Sequence, residues 1–237
     1  KDAGLSISCD HAGVPCDEKN LVWRVADAFA KKTGLTPRWH FELTKRIPVA
    51  GGMGGGSSNA ASALMGLNEL HQSPLSKNEL AELAVAFGAD IPFFFEQSPA
   101  RAAGIGEILE PVDLPHALHL LFVPFAFPVA ASWAYQQRHA GFNSAPLALD
   151  VFIAQLQAGQ IPVIFNDLAP AVHHKFPIID LACRELLSAG ACSAEISGSG
   201  PTVFGIFESA AHRDQALRKL KDSFPQSPIA VDYLPDA

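Results

Sequence analysis

Five glycines fall within the six residues 51–56, and three small polar residues, Ser57, Ser58 and Asn59, follow them directly. Glycine loses more backbone entropy on folding than any other residue, so such a cluster is costly unless the backbone must approach a ligand closely or adopt a positive φ. A phosphate is the ligand that we expect. A flexible linker is the alternative, but linkers of that composition rarely lie between a patterned strand and a patterned helix.

The segments on either side of the glycines have the patterns of a strand and of a helix. Trp39, Phe41 and Leu43 alternate with polar residues, which predicts a strand with one buried face. Apolar residues recur at helical spacing over residues 57–70, which predicts a helix with Ser57 or Ser58 as its N-cap. The N-terminus of a helix offers free N–H groups and a partial positive charge, so a polyphosphate could bind there.

Neither of the two commonest nucleotide-binding fingerprints matches this loop. A Walker loop needs Lys followed by Ser or Thr after its last glycine, and here Gly56 is followed by two serines. A dinucleotide fingerprint needs its third glycine where Ser57 stands. The loop therefore belongs to a different kind of phosphate site.

Residues 45–61, which read KRIPVAGGMGGGSSNAA, resemble the second motif of the GHMP kinases, named for galactokinase, homoserine kinase, mevalonate kinase and phosphomevalonate kinase. Residues 87–94 with 104–109, and 165–168 with 197–202, resemble the members that act on a cytidylyl diphosphate in the non-mevalonate isoprenoid pathway. The resemblance runs through nearly the whole chain. It implies an α+β, two-domain fold, with a ribosomal protein S5 domain 2-like ATP-binding domain over residues 1–112 and a ferredoxin-like domain over residues 113–237.

The resemblance also implies an activity, ATP-dependent phosphorylation of a small-molecule alcohol with Mg²⁺, and a role for particular residues. Asp90 matches the catalytic base and a substrate contact. The residues that match nucleotide-binding positions are Asn20, Lys45, Pro48, Gly51, Gly52, Gly54, Gly55, Gly56, Ser57, Ser58 and Asn59. The turn that matches the motif closing the site consists of Gly198, Ser199 and Gly200.

Several of these residues have a purely structural alternative. Asn20 is equally well placed as a first-turn or N-cap residue of a helix predicted from Asp17 to Gly34, with an acidic start and a basic end. Lys45 could be an exposed strand end. The turn at residues 198–201 could be a simple glycine hairpin.

Asp90 follows a helix predicted over residues 76–87, which the capping box formed by Ser76 and Glu79 announces. Three phenylalanines come soon after it, at residues 93–95. An unpaired buried carboxylate is costly, so we expect a buried, functional aspartate here rather than a turn or capping residue.

Two departures from the family pattern stand out. Ala50 occupies a position where the family's loop usually begins with another glycine, and we expect the change to be tolerated. The family's opening Pro-x-Lys-x-Asn strand and Asp-Gly-Tyr-His loop do not occur, so we expect several strands of the first domain, roughly forty to fifty residues including the catalytic lysine, to be missing. Lys1 is not that lysine. Another GHMP kinase, or a non-catalytic nucleotide-binding fragment, therefore stays open as an alternative.

Composition narrows the partners. A net charge of -7 argues against nucleic acid or an anionic membrane as a partner, and a small-molecule substrate is what the family resemblance implies. No apolar run approaches the length of a membrane span, about 18 residues. The four cysteines lack C-x-x-C spacing and the nine histidines lack a metal-binding pattern, so we expect reduced thiols, a cytoplasmic protein and no metal site built by side chains alone. The oligomeric state stays open.

Overall fold

A computed structural model describes residues 4–96, 98–137 and 149–235; Lys1 lies outside these ranges. The chain divides into two compact units. The first unit comprises Lys1–Val49 and Gly54–Val112, and the second comprises Ala50–Met53 and Asp113–Ala237. The glycine-rich segment at residues 51–56 is therefore divided, because its first three residues belong to the second unit and its last three to the first.

The first unit contains a parallel strand pair, three helices and a short hairpin. Its elements are β1 (Leu5–Cys9), α1 (Leu21–Thr33), β2 (Trp39–Leu43), α2 (Gly55–Leu70), α3 (Lys77–Val85), a 3₁₀ turn (Pro92–Phe95), β3 (Ala100–Ala103) and β4 (Ile108–Pro111). β1 pairs in parallel with β2, from Leu5 opposite Trp39 to Cys9 opposite Leu43, and β3 pairs antiparallel with β4. Helix α1 forms the crossover that a parallel pair requires.

Helix α1 begins later than the sequence predicted. Asn20 is the N-cap, and its side-chain oxygen accepts a hydrogen bond from the N–H of Val22. Asp17 precedes the helix, where its carboxylate accepts a hydrogen bond from the N–H of Lys19, so the predicted acidic start is wrong. An aspartate bonded to the backbone two residues on favours a turn over a helix. Gly34, in the left-handed conformation, ends the helix as predicted.

Helix α2 begins earlier than predicted, and neither Ser57 nor Ser58 is its N-cap. Gly54 holds that position with a φ of 65°, and no side chain caps the helix. The left-handed conformation favours glycine, so the glycine run turns the chain and then becomes the first turn of the helix. The two serines consequently lie inside that first turn.

Helix α3 has the predicted capping box, with the Ser76 hydroxyl accepting from the N–H of Glu79 and the Glu79 carboxylate accepting from the N–H of Ser76. Helices α1 and α2 pack together around a core in which Phe29, Leu64 and Ile91 are fully buried. The start of α2 is therefore fixed to a well-packed body.

The second unit consists of an antiparallel sheet with helices. Its elements are β5 (Leu118–Val123), α4 (Ala131–Gln136), α5 (Leu149–Gln157), α6 (Ala169–Lys175), α7 (Pro177–Ser188), β6 (Ser193–Ile196), β7 (Val203–Phe207), α8 (Ala210–Leu220) and β8 (Ile229–Tyr233). The strand order is β6-β7-β5-β8, and each neighbouring pair is antiparallel. β7, α8 and β8 thus form a split β-α-β unit around β5, the arrangement of a ferredoxin-like fold.

The core of this unit lies between the sheet and helices α6, α7 and α8, with fully buried side chains at Leu121, Ile179, Leu186, Phe207 and Leu220. This arrangement agrees with the ferredoxin-like domain that the family resemblance implied for this part of the chain. Among the described residues, no helix combines the length and the apolar character that crossing a membrane requires.

Candidate functional site

The start of α2 presents backbone N–H groups at the surface of the first unit. The first hydrogen bond of the helix runs from the N–H of Ser58 to the carbonyl of Gly54, over 2.8 Å. The N–H groups of Gly55, Gly56 and Ser57 precede that bond and are the free donors of the helix start. A Cβ added at Gly56 would meet no atom within 4 Å, so the space in front of this turn is open. The arrangement suits an anion.

Lys45 brings a positive charge to the same turn. It lies two residues beyond the end of β2, and its ammonium group donates hydrogen bonds to Oδ1 of Asn59 at 2.6 Å and to the carbonyl of Gly55 at 3.3 Å. Its backbone N–H donates to Asp10, over 2.8 Å. Lys45 is therefore not a freely exposed strand end, and three nucleotide-site candidates lie together.

Gly51 and Gly52, which belong to the second unit, contact the turn between β6 and β7. The N–H of Thr202 donates to the carbonyl of Gly51 at 3.3 Å, and the Ser197 hydroxyl donates to the carbonyl of Gly52 at 2.8 Å. Gly52 has a φ of 73°, and a Cβ there would lie 2.7 Å from the carbonyl oxygen of Gly200. A side chain at Gly52 is therefore excluded both by the backbone conformation and by the neighbouring turn.

Asn166 positions the turn between β6 and β7, a role that was not predicted from the sequence. Its amide donates to the carbonyl of Ile196 at 3.1 Å and to the carbonyl of Gly198 at 2.8 Å, while its Oδ1 accepts from the N–H of Leu168. The signal was present, because the segment Phe165 to Leu168 carried part of the family resemblance. A single amide thus holds the strand end and the turn that contains Gly198, Ser199 and Gly200.

Asp90 lies between α3 and the 3₁₀ turn, as predicted, but its side chain is exposed. The expectation of a buried carboxylate is therefore wrong, because the adjacent Ile91 fills the core instead and is fully buried. A Cβ built at Gly106 would lie 3.7 Å from Oδ1 of Asp90, so the carboxylate faces the loop between β3 and β4. Gly106 has a φ of 118°, a backbone conformation that favours glycine in this loop.

Asn20 and Pro48 complete the placement of the predicted residues. Asn20 is buried, with its side-chain oxygen bonded to the N–H of Val22 and its amide donating to the carbonyl of Pro15 at 2.6 Å. Both ends of its amide thus serve the start of α1, which is the structural alternative; a nucleotide contact stays a prediction. Pro48 is half-buried and precedes the turn at Val49 and Ala50.

Family models identify the two parts of the chain. Residues 20–97 match the model described as GHMP kinases N terminal domain, and residues 154–226 match the model described as GHMP kinases C terminal. The chain belongs to the GHMP kinase family. This confirms the family and the two-domain α+β fold that the motifs implied.

Two named relatives and one solved structure are similar to this chain over most of its length. The chain is 40% identical over 215 residues to a protein of Geobacter sulfurreducens named 4-diphosphocytidyl-2-C-methyl-D-erythritol kinase, covering 91% of this chain and 76% of that protein. It is 38% identical over 232 residues to the Geobacter metallireducens protein of the same name, covering 98% and 82%. A crystal structure of 4-(cytidine 5'-diphospho)-2C-methyl-D-erythritol kinase superposes with a TM-score of 0.82 at 27% identity, covering 100% of this chain and 84% of that one.

Proposed function

We propose that this chain transfers the γ-phosphoryl group of ATP to the 2-hydroxyl of 4-diphosphocytidyl-2-C-methyl-D-erythritol, in the supply of isoprenoid precursors. The observation that carries the proposal is the start of α2, where a left-handed Gly54 leads into free N–H groups beside the Lys45 ammonium. The names of relatives that are 38–40% identical over most of the chain support the substrate.

Phosphoryl transfer asks the protein mainly to position the phosphates and to neutralise charge. The N–H groups of Gly55, Gly56 and Ser57 would donate to phosphate oxygens, and Lys45 would add a full positive charge. Gly52 would present backbone rather than a side chain, because the turn that holds it leaves no room for a Cβ. The N–H groups at the start of α2 and the Lys45 ammonium make up the core of the proposed nucleotide site.

Mg²⁺ prefers oxygen ligands and keeps several of its waters, and when bound it would neutralise charge on the phosphates. Ser57 and Ser58 lie in the first turn of α2, so their hydroxyls would suit a cation held mainly by phosphate oxygens. We therefore include Mg²⁺ in the proposed site, with Ser57 and Ser58 as its protein ligands.

Asp90 would serve the acceptor. Its exposed carboxylate would take the proton of the substrate's 2-hydroxyl as that oxygen bonds to the γ-phosphorus. The bond from the γ-phosphorus to the β–γ bridging oxygen breaks in the same transfer, and ADP leaves with the electron pair. The exposure of Asp90 leaves its carboxylate accessible to a substrate.

The experiment uses the full-length gene product and offers it three alcohols with ATP and Mg²⁺: the cytidylyl diphosphate, homoserine and mevalonate. We expect phosphorylation of the cytidylyl diphosphate with a kcat/KM at least about 100-fold above the others. Mass spectrometry detects one added phosphate, and phosphorus–proton correlation in NMR locates it. Preferred transfer to homoserine or mevalonate would contradict the proposed substrate, and ATP binding without transfer would favour the non-catalytic alternative.

Asp90→Asn tests the assignment of the base in the same assay. The amide keeps the volume but takes no proton, so kcat should fall by about 10²- to 10⁴-fold while ATP affinity is retained. Asp27→Asn is the control, because Asp27 is a half-exposed carboxylate of the same unit that forms an ion pair with its helix neighbour Lys31. Equal turnover by the two variants would remove Asp90 from the mechanism.

A further inference from the structure

Three metal-ligating side chains meet inside the second unit, and the proposed kinase chemistry uses none of them. His173 is on α6, Cys183 on α7 and Glu195 on β6, and one donor atom from each lies within 4.8 Å of the others. Nε2 of His173 is 3.8 Å from Sγ of Cys183 and 4.0 Å from Oε1 of Glu195. Three separate elements thus converge on one point.

We propose that His173, Cys183 and Glu195 form a zinc site that joins α6, α7 and β6. Zinc is the metal that this donor set suits, because it accepts nitrogen, thiolate sulfur and carboxylate oxygen together in tetrahedral geometry. A water or a small anion would fill the fourth position.

The donors lie near the spacing that a zinc ion needs. Zinc bonds of about 2.3 Å to sulfur and about 2.0–2.2 Å to nitrogen and oxygen place neighbouring tetrahedral ligands about 3.4–3.6 Å apart. The nitrogen–sulfur distance is 3.8 Å and the nitrogen–oxygen distance is 4.0 Å, and all three donor atoms lie within 4.8 Å of one another. Zinc binding would therefore draw the three side chains closer together.

The surroundings of His173 match those of a metal-bound histidine. Its other ring nitrogen, Nδ1, is 3.7 Å from Oδ1 of Asp180, and Asp180 is itself held by Arg184. A histidine that binds a metal through one nitrogen commonly directs the other at a carboxylate, which orients the ring. Asp180 is thus a positioning residue, because it turns Nε2 towards Cys183 and Glu195.

Burial supports the same assignment. Cys183 is buried, and the side chains of His173 and Glu195 are 23% and 13% exposed. A thiolate and a carboxylate shielded from water need a compensating positive charge, which a divalent cation between them would supply.

The test titrates untagged protein with zinc chloride by calorimetry, after chelator treatment and dialysis and without nucleotide. We expect one equivalent to bind the wild type, with affinity lowered more than about 100-fold in Cys183→Ser and His173→Ala and about 10- to 100-fold in Asp180→Asn. Zinc at about 100 times its Kd should raise the wild-type Tm by about 5–10 °C. Circular dichroism checks that each variant is folded.

The chain offers matched controls for both ligand types. His174→Ala removes the exposed neighbour of His173, and Cys192→Ser removes an exposed cysteine of the same unit, so both should bind zinc as the wild type does. Cobalt substituted into the wild type should show a thiolate charge-transfer band and tetrahedral ligand-field bands, whatever the stability of the variants. A wild type that binds no equivalent of zinc, a cobalt spectrum without the thiolate band, or equal loss in the controls would each overturn the proposal.

Discussion

The ammonium group of Lys45 donates a hydrogen bond to Oδ1 of Asn59, 2.6 Å away, and so lies over the first turn of α2. A positive charge at a helix N-terminus is unfavourable by itself, because the helix dipole is positive there. An anion between the ammonium and the free N–H groups would reverse the sign of this interaction. The pair therefore has the arrangement that the proposed phosphate site requires.

Replacing Lys45 with methionine keeps the length of the side chain and removes its charge. Charged hydrogen bonds contribute about 1.5–3 kcal/mol, so ATP affinity should fall by about 10- to 100-fold. Arg46→Met is the control, because Arg46 is adjacent and exposed and pairs instead with Asp10 at 3.2 Å. Calorimetric titration with ATP measures both variants, and equal affinities would exclude a role for Lys45 in phosphate binding.

Two substitutions at Asn20 separate its role as a helix cap from the predicted nucleotide contact. Asn20→Ser keeps an N-cap oxygen for the N–H of Val22 and loses the amide, whereas Asn20→Ala loses both and should cost about 0.5–2 kcal/mol more stability. Chemical denaturation should therefore rank the serine variant above the alanine variant. If Asn20 also contacts the adenine, ATP affinity falls to the same extent in both variants, although their stabilities differ. An unchanged affinity in both variants would leave Asn20 a helix cap only.

Ala50 occupies a conformation that favours glycine, with a φ of 56°. The left-handed conformation costs an alanine about 1–2 kcal/mol, and a glycine at this position would avoid that cost. The greater freedom of glycine in the unfolded chain offsets about 0.4–1 kcal/mol of this stabilisation. Ala50→Gly should consequently raise the free energy of unfolding by about 0.5–1 kcal/mol.

Ala154→Gly is the matched control for that substitution, because Ala154 is exposed within α5 and should lose about 1 kcal/mol on the same change. Urea denaturation of both variants gives the comparison. Destabilisation by Ala50→Gly would show that the strain inferred from φ is not stored at this position.

The sequence predicted those parts of the fold that depend on local patterns. The alternation from Trp39 to Leu43, the capping box at Ser76 and the stop at Gly34 each depend on neighbours along the chain, and each is present. The start of α2 was misassigned because Gly54 caps the helix with its backbone conformation, for which no side-chain signal exists. The nearby serines were predicted as the N-cap instead, because serine is a common N-cap residue.

Other features depend on contacts that no local pattern reports. Asp90 looked buried because phenylalanines follow it, but Ile91 takes the core position and leaves the carboxylate outside. The histidine, cysteine and glutamate of the proposed zinc site are separated by about ten residues each and come from three elements, so they match no ligand spacing. Only the packing of α6, α7 and β6 brings them together.

Asp232 gives the second unit a pH-dependent contribution to stability. Its carboxylate accepts hydrogen bonds from Arg213 and His119, which lower its pKa below the ordinary value of 3.8. A lowered aspartate pKa stabilises the fold at every pH above the ordinary pKa. This stabilisation is lost as the pH falls through the lowered pKa.

Asp232→Asn should therefore destabilise the protein at pH 7, and its difference from the wild type should shrink as the pH falls below about 4. Thermal denaturation across that range measures the effect. The exposed Asp222, replaced by asparagine, is the control and should show a smaller difference at pH 7. A difference for Asp232→Asn that stays constant down to pH 3 would show that the lost contribution is not the ionised carboxylate.

Gly56 and Gly66 provide the sharpest test of the phosphate site. Both lie in α2, both are exposed, and a Cβ added at either would meet no atom within 4 Å, so valine should leave the fold intact at both positions. Only Gly56 lies in the first turn, where a side chain would block the approach of a phosphate to the N–H groups.

The most direct measurement is a calorimetric titration of ATP into the wild type, Gly56→Val and Gly66→Val, with circular dichroism to verify equal helix content. We predict that Gly66→Val binds ATP as the wild type does and that Gly56→Val loses at least about tenfold in affinity, which corresponds to about 1.4 kcal/mol. Wild-type affinity in Gly56→Val would contradict the account, because ATP would then bind away from the start of α2.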